Sequence, residues 1–257
     1  DQVTQYGKMV NPDSVLPLYP RPQMVRGDSN SWMNLNGLWD FNGTTNADHI
    51  EHPLPYNHLS FGDTQILVPF PPESCLSGID ATYKHLQYKT NFDDFLNRDK
   101  SSTRVLLQFG AIDWQSSIYV NGKLLGNHTG GYDSFTFDIT DTIQGTNNEL
   151  MVSVYDPSDA GYQPNGKQRI SAITNPGGDT YTPTSGIWQT VWIEMVNDPK
   201  MYISGYKLYP TLTDVSVNVS IADGSGSVTL TVIDPTTNSQ VATGKGNSGE
   251  MIKISVP

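Results

Sequence analysis

The chain has 257 residues, a length that fits one large β domain or a medium domain followed by a small one. Its formal net charge of −11 argues against nucleic acid and anionic membranes as partners, because both attract basic surfaces. Glycine (23) and proline (17) are frequent, whereas charged residues make up only 16% of the sequence. This balance favours an all-β protein with many turns. The sequence contains no run of ~18 apolar residues of the kind that would predict a membrane-spanning helix.

The first part of the chain predicts an extended arm followed by a series of short strands. Residues 1–31 are rich in proline and polar side chains, and residues 33–41 then begin the core with a break at Gly37. Asn121-Gly122 between two apolar runs predicts a type I′ hairpin, because both residues tolerate positive φ. Eight or nine antiparallel strands of this kind form a sandwich or jelly roll. The other predicted strands are 65–70, 82–92, 104–109, 116–120, 123–128, 134–139, 149–155 and 190–196.

Composition changes near residues 197–200, beyond which the strands become rich in serine, threonine and valine. These strands are typical of the start of an immunoglobulin-like β-sandwich. We therefore predict two domains, residues 1–199 and 200–257, and expect the second one to be incomplete because a full sandwich has about seven strands. The predicted strands of this part are 201–209, 214–222, 227–233, 240–245 and 251–256.

Three N-glycosylation sequons begin at Asn42, Asn127 and Asn218, and the chain starts at Asp1 rather than at a methionine. Together these features favour a secreted glycoprotein, or one of a lysosome-like compartment. Cys75 is the only cysteine, so no disulfide forms within the chain and stability depends on packing.

Seven segments resemble glycoside hydrolase family 2, the β-galactosidase, β-glucuronidase and β-mannosidase group. They follow the order and spacing of that family over roughly residues 20–196. The segments are Arg21-Pro-Gln-Met-Val-Arg26, Trp32-Met-Asn-Leu-Asn-Gly-Leu-Trp-Asp-Phe41, Ile66-Leu-Val-Pro-Phe-Pro-Pro-Glu-Ser-Cys-Leu-Ser-Gly-Ile79, Phe109-Gly-Ala-Ile-Asp-Trp114, Tyr119-Val-Asn-Gly122, Gly130-Gly-Tyr132 and Thr184-Ser-Gly-Ile-Trp-Gln-Thr-Val-Trp192.

The resemblance implies an all-β architecture in which a galactose-binding-like jelly roll, the sugar-binding domain, precedes an immunoglobulin-like β-sandwich. In this family the catalytic machinery lies in a third domain, an (α/β)₈ barrel that supplies two glutamates. The present sequence has no βα repeats that would build such a barrel. No catalytic residue and no cofactor is therefore assigned. The expected partners are a β-glycoside or glycan and the C-terminal barrel of the same polypeptide, and assembly into a homo-oligomer stays open.

The resemblance also implies that loops at 72–77 and 176–181 reach the substrate. Asp179 falls next to an acidic position that contacts the sugar in β-galactosidase-like members, and Glu73 lies in the other loop. Trp114 is a candidate for stacking on a sugar ring. The alternatives are a turn aspartate, a surface charge and a packing residue, respectively. Trp188 and Trp192, four residues apart in a predicted strand, are interpreted as core residues.

The five histidines do not predict a metal site. His49 and His52 have a spacing that suits zinc on a helix, but Pro53 follows at once and no fourth ligand is evident. Cys75 lies on a proposed cleft loop without a histidine placed to act as its base, so a nucleophilic role is not predicted.

Two functions remain open. In the first, the chain is the non-catalytic N-terminal part of a secreted family 2 enzyme that hydrolyses β-glycosidic bonds with retention, where it shapes one wall of the active site and scaffolds the barrel. In the second, it is a non-catalytic carbohydrate-binding, lectin-like or structural glycoprotein that lacks the barrel. Neither the sugar nor the oligomeric state follows from the sequence.

Overall fold

The computed structural model describes residues 3–15, 30–44, 47, 49–95, 98–198 and 200–256. Most of the predicted N-terminal arm, including the 21–26 motif, lies outside the described residues. The chain divides into two compact units, Asp1–Arg98 with Val105–Met195 and Asp99–Arg104 with Val196–Pro257.

Helical structure in the described part is limited to four short 3₁₀ turns, and none of the described helices is long and apolar enough to cross a membrane. The turns are Gly7–Met9, Tyr56–His58, Cys75–Ser77 and Ile170–Ile173.

The first unit contains twelve described strands, all paired antiparallel. The predicted strands are present with ends shifted by up to three residues, and two strands of only two residues each, β6 and β11, were not predicted. The strands are β1 (Trp32–Asn34), β2 (Gly37–Thr44), β3 (Gln65–Val68), β4 (His85–Phe92), β5 (Arg104–Phe109), β6 (Ile112–Asp113), β7 (Gln115–Val120), β8 (Lys123–Thr129), β9 (Phe135–Asp138), β10 (Asn148–Tyr155), β11 (Gly186–Ile187) and β12 (Val191–Val196).

These strands build a β-sandwich. A six-stranded sheet has the order β3-β2-β4-β10-β7-β8, a four-stranded sheet has the order β1-β12-β5-β9, and β6 pairs with β11. Alternating residues of both sheets, such as Leu86 and Ile118 of the first and Leu107 and Val191 of the second, share one buried apolar cluster. The all-β sandwich predicted from the sequence is thus confirmed.

Two details of the sequence interpretation can be checked residue by residue. Asn121 and Gly122 both have positive φ, 50° and 75°, as the predicted hairpin between β7 and β8 requires. The interpretation of Trp188 and Trp192 as neighbours in one strand is wrong, because β12 begins only at Val191. Trp192 is buried, whereas Trp188 is half-buried in the preceding turn, where its Nε1 donates to the carbonyl of Gly131 at 2.8 Å.

The second unit is an immunoglobulin-like set of strands with a small core of its own. One described sheet has the order β13-β14-β17 and the other pairs β15 with β16. Val217, Val219, Val228 and Ile252 form its buried cluster. The strands are β13 (Ile203–Pro210), β14 (Asp214–Ile221), β15 (Ser227–Ile233), β16 (Gln240–Asn247) and β17 (Met251–Ser255).

The central position of Leu107 in the sandwich can be tested against a matched truncation at the surface. Leu107 is 0% exposed, and Leu107→Ala is expected to lower the free energy of unfolding by ~2–5 kcal/mol through lost burial and a residual cavity. Leu124 is 48% exposed, so Leu124→Ala removes the same atoms at a cost below ~1 kcal/mol. Urea unfolding followed by tryptophan fluorescence measures both losses, and equal losses would contradict the described core.

Candidate functional site

Three carboxylates converge at one end of the first unit, at the points where strands give way to loops. Glu73 lies in the loop after β3, Asp113 ends β6 and Asp156 follows β10. The charge of Asp156 raises the pKa of both Glu73 and Asp113, and the charge of Glu73 raises that of Asp113. Asp113 and Asp156 are buried and Glu73 is partly buried. We refer to Glu73, Asp113 and Asp156 as the carboxylate cluster.

Glu73 connects the loop after β3 to the segment before β11. Its Oε2 accepts a hydrogen bond from the backbone N–H of Ser185 at 3.2 Å, whereas its buried Oε1 has no hydrogen-bond partner among the described residues. Burial disfavours the charged form and raises the pKa of Glu73 to about 7, against the lowering effect of the Ser185 hydrogen bonds. A neutral Glu73 is therefore well populated near neutral pH.

Burial disfavours the charged forms of Asp113 and Asp156 as well. Burial, followed by the charges of Asp156 and Glu73, raises the pKa of Asp113 to about 7, and an interaction with the Gln168 side chain opposes this rise. Burial also raises the pKa of Asp156, while its Oδ1 accepts the backbone N–H of Ser158 at 2.7 Å. None of the three carboxylates forms an ion pair within the part of the chain that the structure describes. Without a counter-charge, protonation of these carboxyl groups is what reduces the repulsion among them.

Two buried hydroxyl groups lie beside the cluster. The Ser185 hydroxyl lowers the pKa of both Glu73 and Asp156, so it is near each, yet it makes no hydrogen bond of regular geometry among the described residues. The Tyr88 hydroxyl is also buried without such a bond, and the charge of Glu73 adds to burial in raising the pKa of Tyr88. A Cβ at Gly186 would lie 2.0 Å from this hydroxyl, and φ there is +70°, so both space and backbone require glycine.

The cluster holds both ends of a long loop, residues 167–186, which we call the Asp179 loop. At one end, the side chain of Gln168 interacts with Asp113, and its Oε1 accepts from the backbone N–H of Thr184. At the other end, Ser185 donates to Glu73. The two stems also pair directly, because Tyr181 accepts from the N–H of Arg169 at 3.0 Å and donates to the carbonyl of Lys167 at 3.1 Å.

The tip of the Asp179 loop is exposed. Asp179 is 82% exposed, and its carboxylate pairs loosely with the ammonium group of Lys167 at 3.8 Å. Thr180 closes a turn on Gly177 through its hydroxyl at 3.1 Å, and Tyr181 stays exposed. Asp179 therefore offers carboxylate oxygens to the solvent from a loop whose base is fixed.

The three residues singled out from the sequence have different environments. Glu73 and the Asp113–Trp114 pair, which is joined by a cis peptide bond, lie at the same end of the sandwich. Asp179 contacts neither Glu73 nor Trp114 through any described hydrogen bond or ion pair. Trp114 is half-buried and lines a cavity of about 420 Å³ together with Tyr155 and Tyr162.

Sequence reasoning missed Asp156 and Ser185 as members of the site. Both follow or precede a strand directly, and a polar residue at the end of a buried strand was the signal available for them. Within the described residues no group of three or more His, Cys, Asp or Glu side chains is arranged to hold a metal ion, and the carboxylate cluster is included in that finding.

The raised pKa values make the stability of the first unit depend on pH with a definite sign. Between the unfolded values, 4.5 for Glu73 and 3.8 for Asp113, and the folded values of about 7, the folded state binds protons that the unfolded state has lost. The contribution of these groups is therefore largest below pH ~4 and decreases up to pH ~7, by at most ~1.4 kcal/mol per pH unit for each proton.

Glu73→Gln removes one of these groups, so the variant is expected to gain stability relative to the wild type as the pH rises from about 4.5 to 7. Urea unfolding at a series of pH values measures this difference. Asp63→Asn, a change of the same kind at an exposed site, serves as the control and should follow the wild type. A difference between Glu73→Gln and wild type that does not vary with pH would contradict the described burial.

Comparison with known proteins shows what part of this unit is similar to. A model of the glycosyl hydrolase 2 galactose-binding domain-like family matches residues 78–188, which include Asp113, Asp156 and Ser185. The chain is 30% identical over 124 residues to a β-galactosidase of Thermoanaerobacter pseudethanolicus, covering 46% of this chain and 15% of that protein. It is 34% identical over 112 residues to a putative β-glucuronidase of Formosa agariphila, covering 44% of this chain and 12% of that protein.

Solved structures agree on the fold. A β-glucuronidase of Bifidobacterium dentium, in complex with coumarin-3-O-glucuronide, aligns with a TM-score of 0.59 at 18% identity over 90% of this chain and 43% of its own. A β-glucuronidase of Ruminococcus gnavus, in complex with uronic deoxynojirimycin, aligns with a TM-score of 0.60 at 19% identity over 93% of this chain and 41% of its own. The chain thus spans less than half of these structures and a much smaller part of the curated relatives. As its motifs predicted, residues 78–188 match the glycosyl hydrolase 2 galactose-binding domain-like family.

Proposed function

We propose that this chain is the non-catalytic N-terminal part of a family 2 enzyme that hydrolyses β-glycosidic bonds with retention. The observation that carries the proposal is the family match over residues 78–188, supported by relatives named β-galactosidase and β-glucuronidase. Retaining hydrolysis needs two carboxyl groups ~5–5.5 Å apart on either side of the scissile bond. In this proposal both come from a barrel elsewhere in the same polypeptide, since the described residues contain no βα units.

The contribution of this chain would be one wall of the sugar site, formed by the Asp179 loop. Asp179 presents two acceptor oxygens to solvent, and sugar hydroxyls are donors that such oxygens bind. Its loop is anchored at both ends by the carboxylate cluster, which limits the entropy lost when the tip meets a ligand. In this arrangement Glu73 is a positioning residue and Asp179 is the residue that contacts substrate.

The longer polypeptide that carries this chain tests the proposal. It is expected to hydrolyse at least one of p-nitrophenyl β-D-galactoside, β-D-glucuronide and β-D-mannoside. Asp179→Asn should lower kcat/KM on that substrate by about ten- to a hundredfold, because a hydrogen bond to a charged group contributes ~1.5–3 kcal/mol. Asp63→Asn is the matched control and should be unchanged. A well-folded polypeptide that hydrolyses none of the three substrates would contradict the proposed glycosidase activity. An Asp179→Asn variant with the kcat/KM of the wild type would contradict substrate contact by the Asp179 loop.

We further propose that the protein is secreted and glycosylated, as its three sequons suggest. Their environments differ. The Nδ2 of Asn42 donates to the carbonyl of Ser60 at 3.0 Å and that of Asn218 to the carbonyl of Gly249 at 2.7 Å, and both residues are half-buried. Asn127 is exposed on β8. A glycan on Nδ2 of Asn127 leaves the bond that its Oδ1 accepts from the Ser117 hydroxyl in place, whereas a glycan on Asn42 or Asn218 would occupy the Nδ2 that donates.

Production in a eukaryotic secretory host, followed by peptide mass mapping of the folded fraction, measures the occupancy of each sequon. We expect glycan at Asn127, with Asn42 and Asn218 largely unmodified, and Asn127→Gln should remove the glycan-dependent mass. Predominant occupancy at Asn42 or Asn218 in folded protein would contradict the described environments. If the chain stays inside the host cells and carries no glycan, that result would contradict the proposed secretion.

A further inference from the structure

The middle of the Asp179 loop makes no described hydrogen bond or ion pair with the rest of the first unit. Residues 173–179 are all exposed, and the bonds described for them, such as the ion pair of Asp179 with Lys167, stay within the loop. The two stems differ from this span, because Gln168 and Ser185 are buried beside the carboxylate cluster. The position of the tip therefore depends on how the stems are held.

Both stems are held through the carboxylate cluster. Ser185 donates its N–H to Oε2 of Glu73 at 3.2 Å, and the next residue, Gly186, pairs with Asp113 across the short strands β11 and β6. On the other stem, the side chain of Gln168 interacts with Asp113 and accepts a hydrogen bond from the opposite stem. Two of these links end on a carboxyl group, so the fastening of the loop depends on groups that gain and lose protons.

The first stem has an additional fastening that the second one lacks. Oδ1 of Asp159 accepts the N–H of Ile170 at 3.2 Å, and Oδ2 of Asp159 lies 3.9 Å from Nε of Arg169. Residues 182–185, which we call the second stem, form no ion pair within the described part of the chain, and their described hydrogen bonds go to Gln168 and to the cluster. The second stem is thus the part of the loop that depends most on the cluster.

The groups on the other side of the cluster are fixed more firmly. Glu73 lies in a turn region, residues 71–81, that is closed by backbone hydrogen bonds. The N–H of Asp156 is bonded to the segment before β4, and Tyr88 of β4 is 0% exposed. Detaching the second stem breaks few described contacts, whereas moving Glu73 or Asp156 also disturbs the closed turn or the sheet. Local opening takes the path that breaks the fewest contacts, so we expect it at the second stem.

The charges that face Glu73 and Asp113 all have the same sign. Burial and then the charge of Asp156 raise the pKa of each to about 7, and the charge of Glu73 adds to the rise at Asp113. Tyr88, whose own pKa is raised by burial, is a neutral neighbour of Glu73. No cation pairs with any of these groups among the described residues. When protons leave, water is what stabilises the new charges, and water reaches them when the second stem detaches.

We propose that the carboxylate cluster is a pH-sensitive latch of the Asp179 loop. While the cluster holds its protons, the second stem stays on Glu73 and the tip of the loop is fixed. As the protons are lost, the second stem detaches while the sandwich stays folded. The latch acts on the loop that carries Asp179, so its effect on sugar binding, with tighter binding at acidic pH, rests on the proposed function. The opening itself belongs to this chain and needs no substrate.

The pH range of the latch follows from burial. In the closed loop the pKa of Glu73 is about 7, and in the opened loop water returns this pKa toward its ordinary value of 4.5. The opened form therefore gains on the closed form between pH ~4.5 and ~7, by up to ~tenfold per pH unit for each carboxyl group, and their ratio is constant above pH ~7. For Glu73 the whole change is at most ~300-fold, since one pKa unit corresponds to a factor of ten.

Hydrogen exchange of backbone amides, followed by NMR on the 257-residue chain between pH ~5 and ~8, measures the opening directly. After correction for the intrinsic exchange rate at each pH, the opening equilibrium at Thr184 and Ser185 is expected to rise by up to ~tenfold per pH unit from pH ~5 to ~7 for each carboxyl group, and to level off above. The amides of the central strand β10 should stay better protected at every pH, because they exchange only when the whole unit unfolds.

Two variants separate the latch from other effects of pH. Glu73→Gln keeps an acceptor for the N–H of Ser185 but cannot lose a proton, so its opening equilibrium should change less steeply with pH than that of the wild type. Asp113→Asn removes the other carboxyl group and should flatten the profile in the same way. Asp63→Asn, at an exposed site, is the matched control and should follow the wild type.

The wild-type profile decides the proposal even if a variant fails to fold. The latch is overturned if the opening equilibrium at Ser185 does not change between pH ~5 and ~7, or if the loop amides exchange only together with those of β10. It is also overturned if folded Glu73→Gln and Asp113→Asn both keep the wild-type profile. Because no substrate is used, a failed latch leaves the glycosidase assay unaffected, and an inactive longer polypeptide leaves the exchange result unaffected.

Discussion

The hydrogen bond from the backbone of Ser185 to Glu73, inside a cluster of three carboxylates, is the contact on which the arrangement of the candidate site depends. Glu73, Asp113 and Asp156 come from three separate parts of the chain and share a space without a described counter-ion. Charges of one sign are costly to bury together, and the chain offsets that cost by holding protons and by using backbone N–H groups as donors. The Asp179 loop leaves and returns through this point.

The sandwich beneath makes such a cluster tolerable. Its core joins two sheets over large side chains such as Trp39 and Phe109, which are almost fully buried, and the indole N–H of Trp39 is bonded to the carbonyl of Leu35 at 2.8 Å. This apolar burial stabilises the unit enough to carry polar groups that are poorly satisfied at one end. Functional loops on rigid β-sandwiches commonly show this division between a stable scaffold and a less favourable site.

Much of this architecture could be predicted from particular residues. Alternating apolar positions such as Val105, Leu107 and Phe109 indicated strands, and Asn121-Gly122 indicated the hairpin, because both signals depend on local chemistry alone. The two-residue strands β6 and β11 could not be predicted, since they exist only by pairing with each other across the fold. The same limit applies to the site.

Glu73 was a reasonable candidate because of its loop, but nothing in the sequence around it indicated burial beside Asp113 and Asp156, which are 40 and 83 positions further along the chain. Likewise, Trp114 was singled out as an aromatic residue at a strand end. The cavity that it lines is also bordered by Glu51, in a loop about sixty residues earlier that is held by hydrogen bonds from Tyr56 and Ser60 to distant strands. Long-range contacts of this kind leave no local pattern.

The most direct test of the account is a pH titration by NMR of the chain labelled with ¹³C at glutamate side chains and with ¹⁵N. The account requires the Glu73 carboxyl signal to titrate with a midpoint of about 7, and the Ser185 amide signal to shift with the same midpoint because it donates to that carboxyl. A Glu73 midpoint near the ordinary 4.5, or a Ser185 amide that does not respond to it, would contradict a buried carboxylate cluster that anchors the Asp179 loop.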